Sequence, residues 1–436
     1  MTNNSNLYPK AYNPLSDKQN SDILASEGSF LINLLGFLFA LMPIIVIKYL
    51  NLQFSDVLNM LIFILFFTSG ILIMEFIFYR KKSSLSDIKI RRKFSIQRYL
   101  TRLLSLYAIW LAIAFFYWLF PVYKNGLYDV YMHILKNYWW ILVMLAALYF
   151  ALEDIISKDE KDPYWQLGRF LLTHKEDANK DNILELFRGW GVKFFYLALM
   201  LPYFNIRLSW FMNADFSFFF SNPLNFFRLT EELIFFIDLA VAATGYIMTL
   251  RIFNTHIRSS EPTFFGWFIA IVCYWPFYHE LLNQYYLNYG TGIYWQQIFA
   301  NSVWLYVWIF LILSCELIFS LSTIALGLRF SNLTYRGLIT SGPYRFTKHP
   351  AYVFKNISWW LISMPFLAFN NNPSLAIRGT LLLFCVNLIY YARAKTEENH
   401  LSHYPEYVEY ALEMNEKSIF APLTKILPFL KYKAPK

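Results

Sequence analysis

The chain has 436 residues, of which 57% are hydrophobic, 21% aromatic and only 15% charged, where a soluble domain carries roughly 25% charged residues. Charge is absent from blocks of about 18–25 residues and concentrated between them, as expected when lipid is the solvent for the blocks; a soluble fold would have to bury all these uncapped apolar runs at once. The net charge of +9 falls in the connections, where topology signals and anionic-lipid contacts belong, so it does not point to nucleic acid.

The first 28 residues are polar and lack an apolar core behind a basic start, which predicts a cytoplasmic tail rather than a cleaved signal peptide. Candidate spans then follow at 30–50, 57–79, 103–122 and 137–153, giving a four-span region over 29–153. A polar connection, 154–190, separates it from a second four-span region over 191–327, with spans at 191–211, 232–250, 263–281 and 302–327. Two more, 357–369 and 378–392, lie in a C-terminal region, 328–425, followed by a tail, 426–436. The fold class is therefore all-α, a polytopic membrane protein of about ten helices. The fourth span and the last two are short for a full crossing, so they tilt little or pair as a hairpin.

The basic residues set the orientation. Connection 80–98 carries Arg80, Lys81, Lys82, Lys89, Arg91, Arg92, Lys93 and Arg98, and connections 154–190, 251–262 and 328–356 and the tail after 392 are also basic. Stretch 283–300 has no Lys or Arg. Every second connection is positive, which places both termini in the cytoplasm, with a bacterial inner membrane or the endoplasmic reticulum as the setting.

Few residues within the spans suggest chemistry. Cys273, Cys315 and Cys385 lie in apolar segments without metal-type spacing. Asp177 to Asp181 resembles the start of a calcium loop, but Asn182 and Arg188 hold the positions that need glycine and a bidentate acid, so no metal site is expected. Glu75, Asp238, Glu280 and Glu316 lie in or near spans, where acids face a bundle interior or a pathway, which leaves a transporter or lipid-handling scaffold open.

The C-terminal region is different. Gly337-Leu338-Ile339-Thr340-Ser341-Gly342-Pro343-Tyr344 leads into Arg345-Phe346-Thr347-Lys348-His349-Pro350-Ala351-Tyr352. The Gly-Pro and His-Pro pairs forbid a continuous helix and predict an ordered loop with a helix starting near Pro350. Free N–H groups at that start suit an anion, and the faces of Tyr344 and Tyr352 suit a cation such as a sulfonium. After the last span, Arg393 and Glu397 share a helix face where the chain leaves the lipid, followed by Tyr404-Pro405-Glu406-Tyr407-Val408-Glu409-Tyr410, an amphipathic continuation able to close over the site.

Together the two blocks resemble the membrane-bound isoprenylcysteine carboxyl methyltransferase family, with relatives among phospholipid N-methyltransferases and, more distantly, sterol reductases. The resemblance covers roughly residues 328–425. It implies S-adenosyl-L-methionine as cofactor, held by Arg336, Gly337, Leu338 and Ile339, by Tyr344, and by His349, Pro350, Ala351 and Tyr352. It implies that Glu397 contacts the cofactor and Arg393 faces a substrate carboxylate, making this pair the catalytic residues. Departures are Lys348 in place of arginine, Val353-Phe354-Lys355-Asn356 after Tyr352, and a shortened Tyr404-Pro405 turn. The expected activity is carboxyl O-methylation of a prenylated or lipid-like acceptor at the cytoplasmic leaflet, with membrane lipids as partners. Lipid N-methylation and a nicotinamide-dependent reductase remain open alternatives.

Overall fold

A computed structural model describes residues 26–78, 90–124, 126–157, 159–173, 179–367 and 372–435. Arg80, Lys81, Lys82 and Lys89, most of the N-terminal tail, and Asp177 and Ala178 lie outside the described residues. The helices are α1 Phe30–Tyr49, α2 Asp56–Phe78, α3 Ile96–Leu119, α4 Asp129–Ile156, α5 Pro163–Thr173, α6 Lys180–Asn213, α7 Pro223–Ile247, α8 Phe264–Ile271, α9 Trp295–Ile298, α10 Val303–Leu326, α11 Pro350–Ser363, α12 Pro373–Leu401, α13 Pro405–Lys417 and α14 Ala421–Ile426. Among the described residues one antiparallel ladder joins β1 Ser259–Ser260 to β2 Thr334–Tyr335.

Six described helical stretches are long and apolar enough to cross a membrane: Phe30–Tyr49, Asp56–Phe78, Ile96–Leu119, Gly126–Ile156, Val303–Arg329 and Pro373–Leu401. An all-α membrane protein is what these define. The stretches expected to be short at 137–153 and 378–392 lie in continuous runs of 31 and 29 residues, because the helix continues through polar residues at its ends. The expected span 263–281 is broken instead. The chain leaves α8 after Ile271 and resumes as a π-helical segment, Phe277–Tyr286; Pro276 between them has no N–H to continue the helix. The expected spans 191–211 and 232–250 fall inside α6 and α7. Near 357–369, α11 starts earlier and ends at Met364, which adopts a left-handed φ of 40°.

The chain forms two compact units, one of Phe30–Ser260 with Thr323–Arg336, the other of Met1–Ser29, Glu261–Ser322 and Gly337–Lys436. In the first, α1 and α2 approach closely because Gly36 and Gly70 meet. A Cβ on Gly70 would stand 3.2 Å from the Gly36 Cα, and small residues are what allow backbones to approach in lipid. Basic connections gather at one end of this unit. Arg98 and Arg102 reach Asp154 at 2.8 and 3.0 Å, Arg102 reaches Asp162 at 2.9 Å, and Arg251 reaches Glu153 at 3.6 Å. Arg258 N–H donates to Tyr335 O at 2.9 Å beside the β1–β2 ladder. Within the first unit these contacts join Arg98 to Asp154 and Arg258 to Tyr335, residues of different connections.

In the second unit, α11 and α12 are stitched by amides. Trp360 Nε1 donates to Asn387 Oδ1, Asn387 Nδ2 to Asn356 Oδ1, and Asn356 Nδ2 to the Tyr352 carbonyl, each at 2.7 Å. Trp308 Nε1 of α10 donates to Leu361 O at 2.7 Å. These bonds satisfy polar groups in an apolar setting, where each would be costly to leave unmade.

Candidate functional site

The loop before α11 has the irregular backbone its glycines predict. Gly337 and Gly342 take φ of +109° and +62°, values that a side chain disfavours. A short 3₁₀ turn, Gly342–Arg345, carries Tyr344, and α11 begins with Pro350 in its first turn, with His349 at the cap. The loop is pinned from α13: Tyr410 Oη donates to Tyr344 O at 2.6 Å, and Leu338 packs in a buried cluster with Tyr407, Tyr410, Ala411, Met414 and Tyr432. Ile339 is also buried. The Tyr404–Tyr410 continuation therefore lies against the loop, and Tyr407 and Tyr410 are interior residues rather than exposed interface anchors.

The end of α12 meets the start of α11 through two adjacent acids with different partners. Glu397 accepts from Tyr352 Oη at 2.7 Å. Glu398, buried, takes Lys348 Nζ and Lys395 Nζ at 2.7 Å each, and His349 Nε2 at 3.3 Å. The His349 ring stacks on Tyr352, with centroids 5.5 Å apart and planes at 8°. Burial pulls the Lys348 ammonium pKa down, and Glu398 opposes that. Burial, then the Glu397 and Tyr410 charges, push the Tyr344 phenol well up, so it stays neutral.

Arg393 is buried with its guanidinium 4.9 Å from the Tyr352 ring and 5.4 Å from the Tyr274 ring. Its Nη2 lies 3.4 Å from Tyr274 Oη. Tyr352 therefore connects the expected pair, since its ring faces Arg393 and its hydroxyl binds Glu397. A guanidinium held over aromatic rings and bonded to a tyrosine hydroxyl keeps a fixed direction, which suits recognition of a carboxylate.

One group was not visible in the motif: Tyr274 comes from the break after α8, and nothing in its sequence neighbourhood marks it. Tyr407 lies in the quoted tyrosine stretch, but its setting was not foreseen: its hydroxyl is fully buried and makes no hydrogen bond among the described residues, while burial and then the charges of Glu398 and Glu397 raise its pKa well above the usual phenol value. A buried donor without a partner beside two carboxylates is a place for a ligand atom.

Arg336 ends the first unit, and its guanidinium donates within that unit to the carbonyls of Thr255 (2.7 Å), Gly245 (3.0 Å), Phe330 (2.6 Å) and Leu328 (2.7 Å). The structure thus brings Gly337, Leu338, Ile339, Tyr344, His349, Pro350, Ala351, Tyr352, Arg393 and Glu397 into one unit, while the Arg336 guanidinium is bonded to carbonyls of the other. Of the acids in the apolar spans, Asp238 accepts a hydrogen bond from Thr323 in the first unit, and Glu280 lies exposed beside His279.

An α-helical membrane protein with a loop, an acid pair and a stacked arginine at the ends of two helices is the class these observations define. Residues 305–403 match the model of the isoprenylcysteine carboxyl methyltransferase (ICMT) family, so the C-terminal part of the chain is similar to that family. No curated protein and no solved structure matches the chain.

Proposed function

We propose that the protein is an S-adenosyl-L-methionine-dependent methyltransferase that esterifies the carboxylate of a prenylated or lipid-like acceptor at the cytoplasmic leaflet. The observation that carries this reading is the Arg393–Tyr352–Glu397 constellation, with an acid on one side of a tyrosine and a stacked guanidinium on the other. The residues fit the cofactor chemically. Tyr352 and Tyr344 offer aromatic faces to a sulfonium, Glu397 offers it negative charge, and the Tyr407 hydroxyl and the loop Gly337–Ile339 offer hydrogen-bonding groups. Bound there, the cofactor would supply an electrophilic methyl group to the acceptor carboxylate oxygen. Arg393 would orient that carboxylate while Tyr352 holds Glu397 in place, so positioning and electrostatics carry the rate. His349, tied to Glu398, fixes the ring of Tyr352 by stacking. An acceptor with an apolar tail can reach a site at the ends of α11 and α12 sideways from the bilayer.

The test is transfer of a radiolabelled methyl group from the donor into a prenylcysteine acceptor by protein reconstituted in lipid. The wild type is expected to form a base-labile ester, and Arg393→Lys to cut the rate at least about tenfold, because lysine cannot stack or bind in a planar fork. Absence of transfer with that acceptor and with lipid extract contradicts the reading; a base-stable product replaces it with lipid N-methylation.

A further inference from the structure

The loop at the donor site is bound on one side by α13 and on another by the chain's own N-terminal segment. Glu27 N–H donates to Leu338 O at 2.9 Å. Thr340 N–H donates to Ser26 Oγ at 3.1 Å, and Ser341 Oγ donates to Gly28 O at 2.9 Å. Ser26 Oγ also donates to Gly28 O at 2.6 Å, holding its own turn. The Glu27 carboxylate rests on Gly337, so that a Cβ there would stand 2.6 Å from Glu27 Oε2. Three consecutive residues therefore clamp Gly337–Ser341 through one backbone pair and two serine hydroxyl contacts. The clamp lies far outside the matched residues 305–403, and it belongs to the same compact unit as the loop.

We infer that Ser26, Glu27 and Gly28 are positioning residues of the methyl-donor site: they hold Gly337–Ser341 in its donor-binding shape. This rests on the methyltransferase reading above. The loop contains a glycine at φ +109° and has no helix or sheet of its own, so its shape depends on outside partners. Leu338 is held by its side chain from α13 and by its carbonyl from Glu27. Loss of the second hold leaves the loop packed but free to rotate its peptide planes, which hurts a ligand bound by backbone groups more than it hurts the fold. Acceptor recognition at Arg393 uses other contacts and stays intact. The N-terminal segment thus becomes part of a site that the C-terminal sequence alone does not complete.

The experiment is titration of the full-length purified protein with S-adenosylhomocysteine, with donor and acceptor KM measured in parallel. Glu27→Pro deletes the N–H that holds Leu338, Ser26→Ala deletes the acceptor for Thr340, and Ser26→Thr restores a hydroxyl. Glu27→Pro and Ser26→Ala are expected to weaken product binding about five- to tenfold each, the effect of one lost hydrogen bond. Donor KM should rise, acceptor KM stay within about twofold and the melting temperature hold, with Ser26→Thr near wild type. Unchanged product affinity in both variants, or equal rises in both KM values, overturns the inference. A wild type that fails to bind at all overturns the methyltransferase reading itself, which is a different result.

Discussion

Glu397 and Glu398 are neighbours whose side chains point about 100° apart on α12, and that angle separates two tasks. Glu398 is buried among two ammonium groups and an imidazole. Removing its charge leaves Lys348 without compensation in a desolvated place, so Glu398→Gln is expected to lower stability by about 1–3 kcal/mol, discounted because Lys395 is partly solvated. Thermal unfolding in detergent reads this directly. Tyr407 gives the converse case. Its buried hydroxyl makes no bond among the described residues, so Tyr407→Phe should leave the melting temperature unchanged or slightly raised. The same variant should weaken S-adenosylhomocysteine binding about fivefold in a calorimetric titration. A Tyr407→Phe protein that melts lower yet binds normally would mean the hydroxyl serves the fold.

Among the elements, the β1–β2 ladder and the turns around it depend on Arg336. Four carbonyl oxygens from residues 245–330 converge on one guanidinium. Lysine has three donors on a point charge and cannot reproduce the planar fan. Arg336→Lys should therefore destabilise the first unit by about 2–4 kcal/mol, seen as a lower melting temperature. His256 follows Thr255, whose carbonyl accepts from Arg336. Burial, then the charges of Arg251, Arg258, Arg336 and Arg329, bring its pKa down from 6.5 to about 4. The unfolded chain takes up this proton first, so the contribution to stability is whole above pH 6.5 and is lost as pH falls toward 4. Melting curves from pH 7 to 4.5 should show a decline that His256→Gln reduces.

At the scale of the whole molecule, what was legible in the sequence was what repeats or clusters locally. The apolar blocks anticipated the long helices Phe30–Tyr49, Asp56–Phe78, Ile96–Leu119 and Val303–Leu326, because a run of apolar residues long enough to cross a bilayer is a local property of the sequence. The Gly-Pro and His-Pro pairs anticipated the loop and the start of α11, because backbone restriction is a property of the residues themselves. Other features were hidden by distance along the chain. Tyr274 reaches Arg393 across 119 positions, and Ser26 reaches Thr340 across 314; no local pattern marks either contact. The break at Pro276 was hidden for another reason, since the apolar run continues through it and hydropathy does not register a missing N–H. In the proposed function the ends of α11 and α12 bind the methyl donor, and calorimetric titration of the wild type with S-adenosylhomocysteine, beside Glu397→Gln and His349→Ala, tests this. The folded wild type is expected to bind saturably, with binding weakened about tenfold or more in both variants. Absence of binding to the folded wild type, or affinity indifferent to both substitutions, would contradict it.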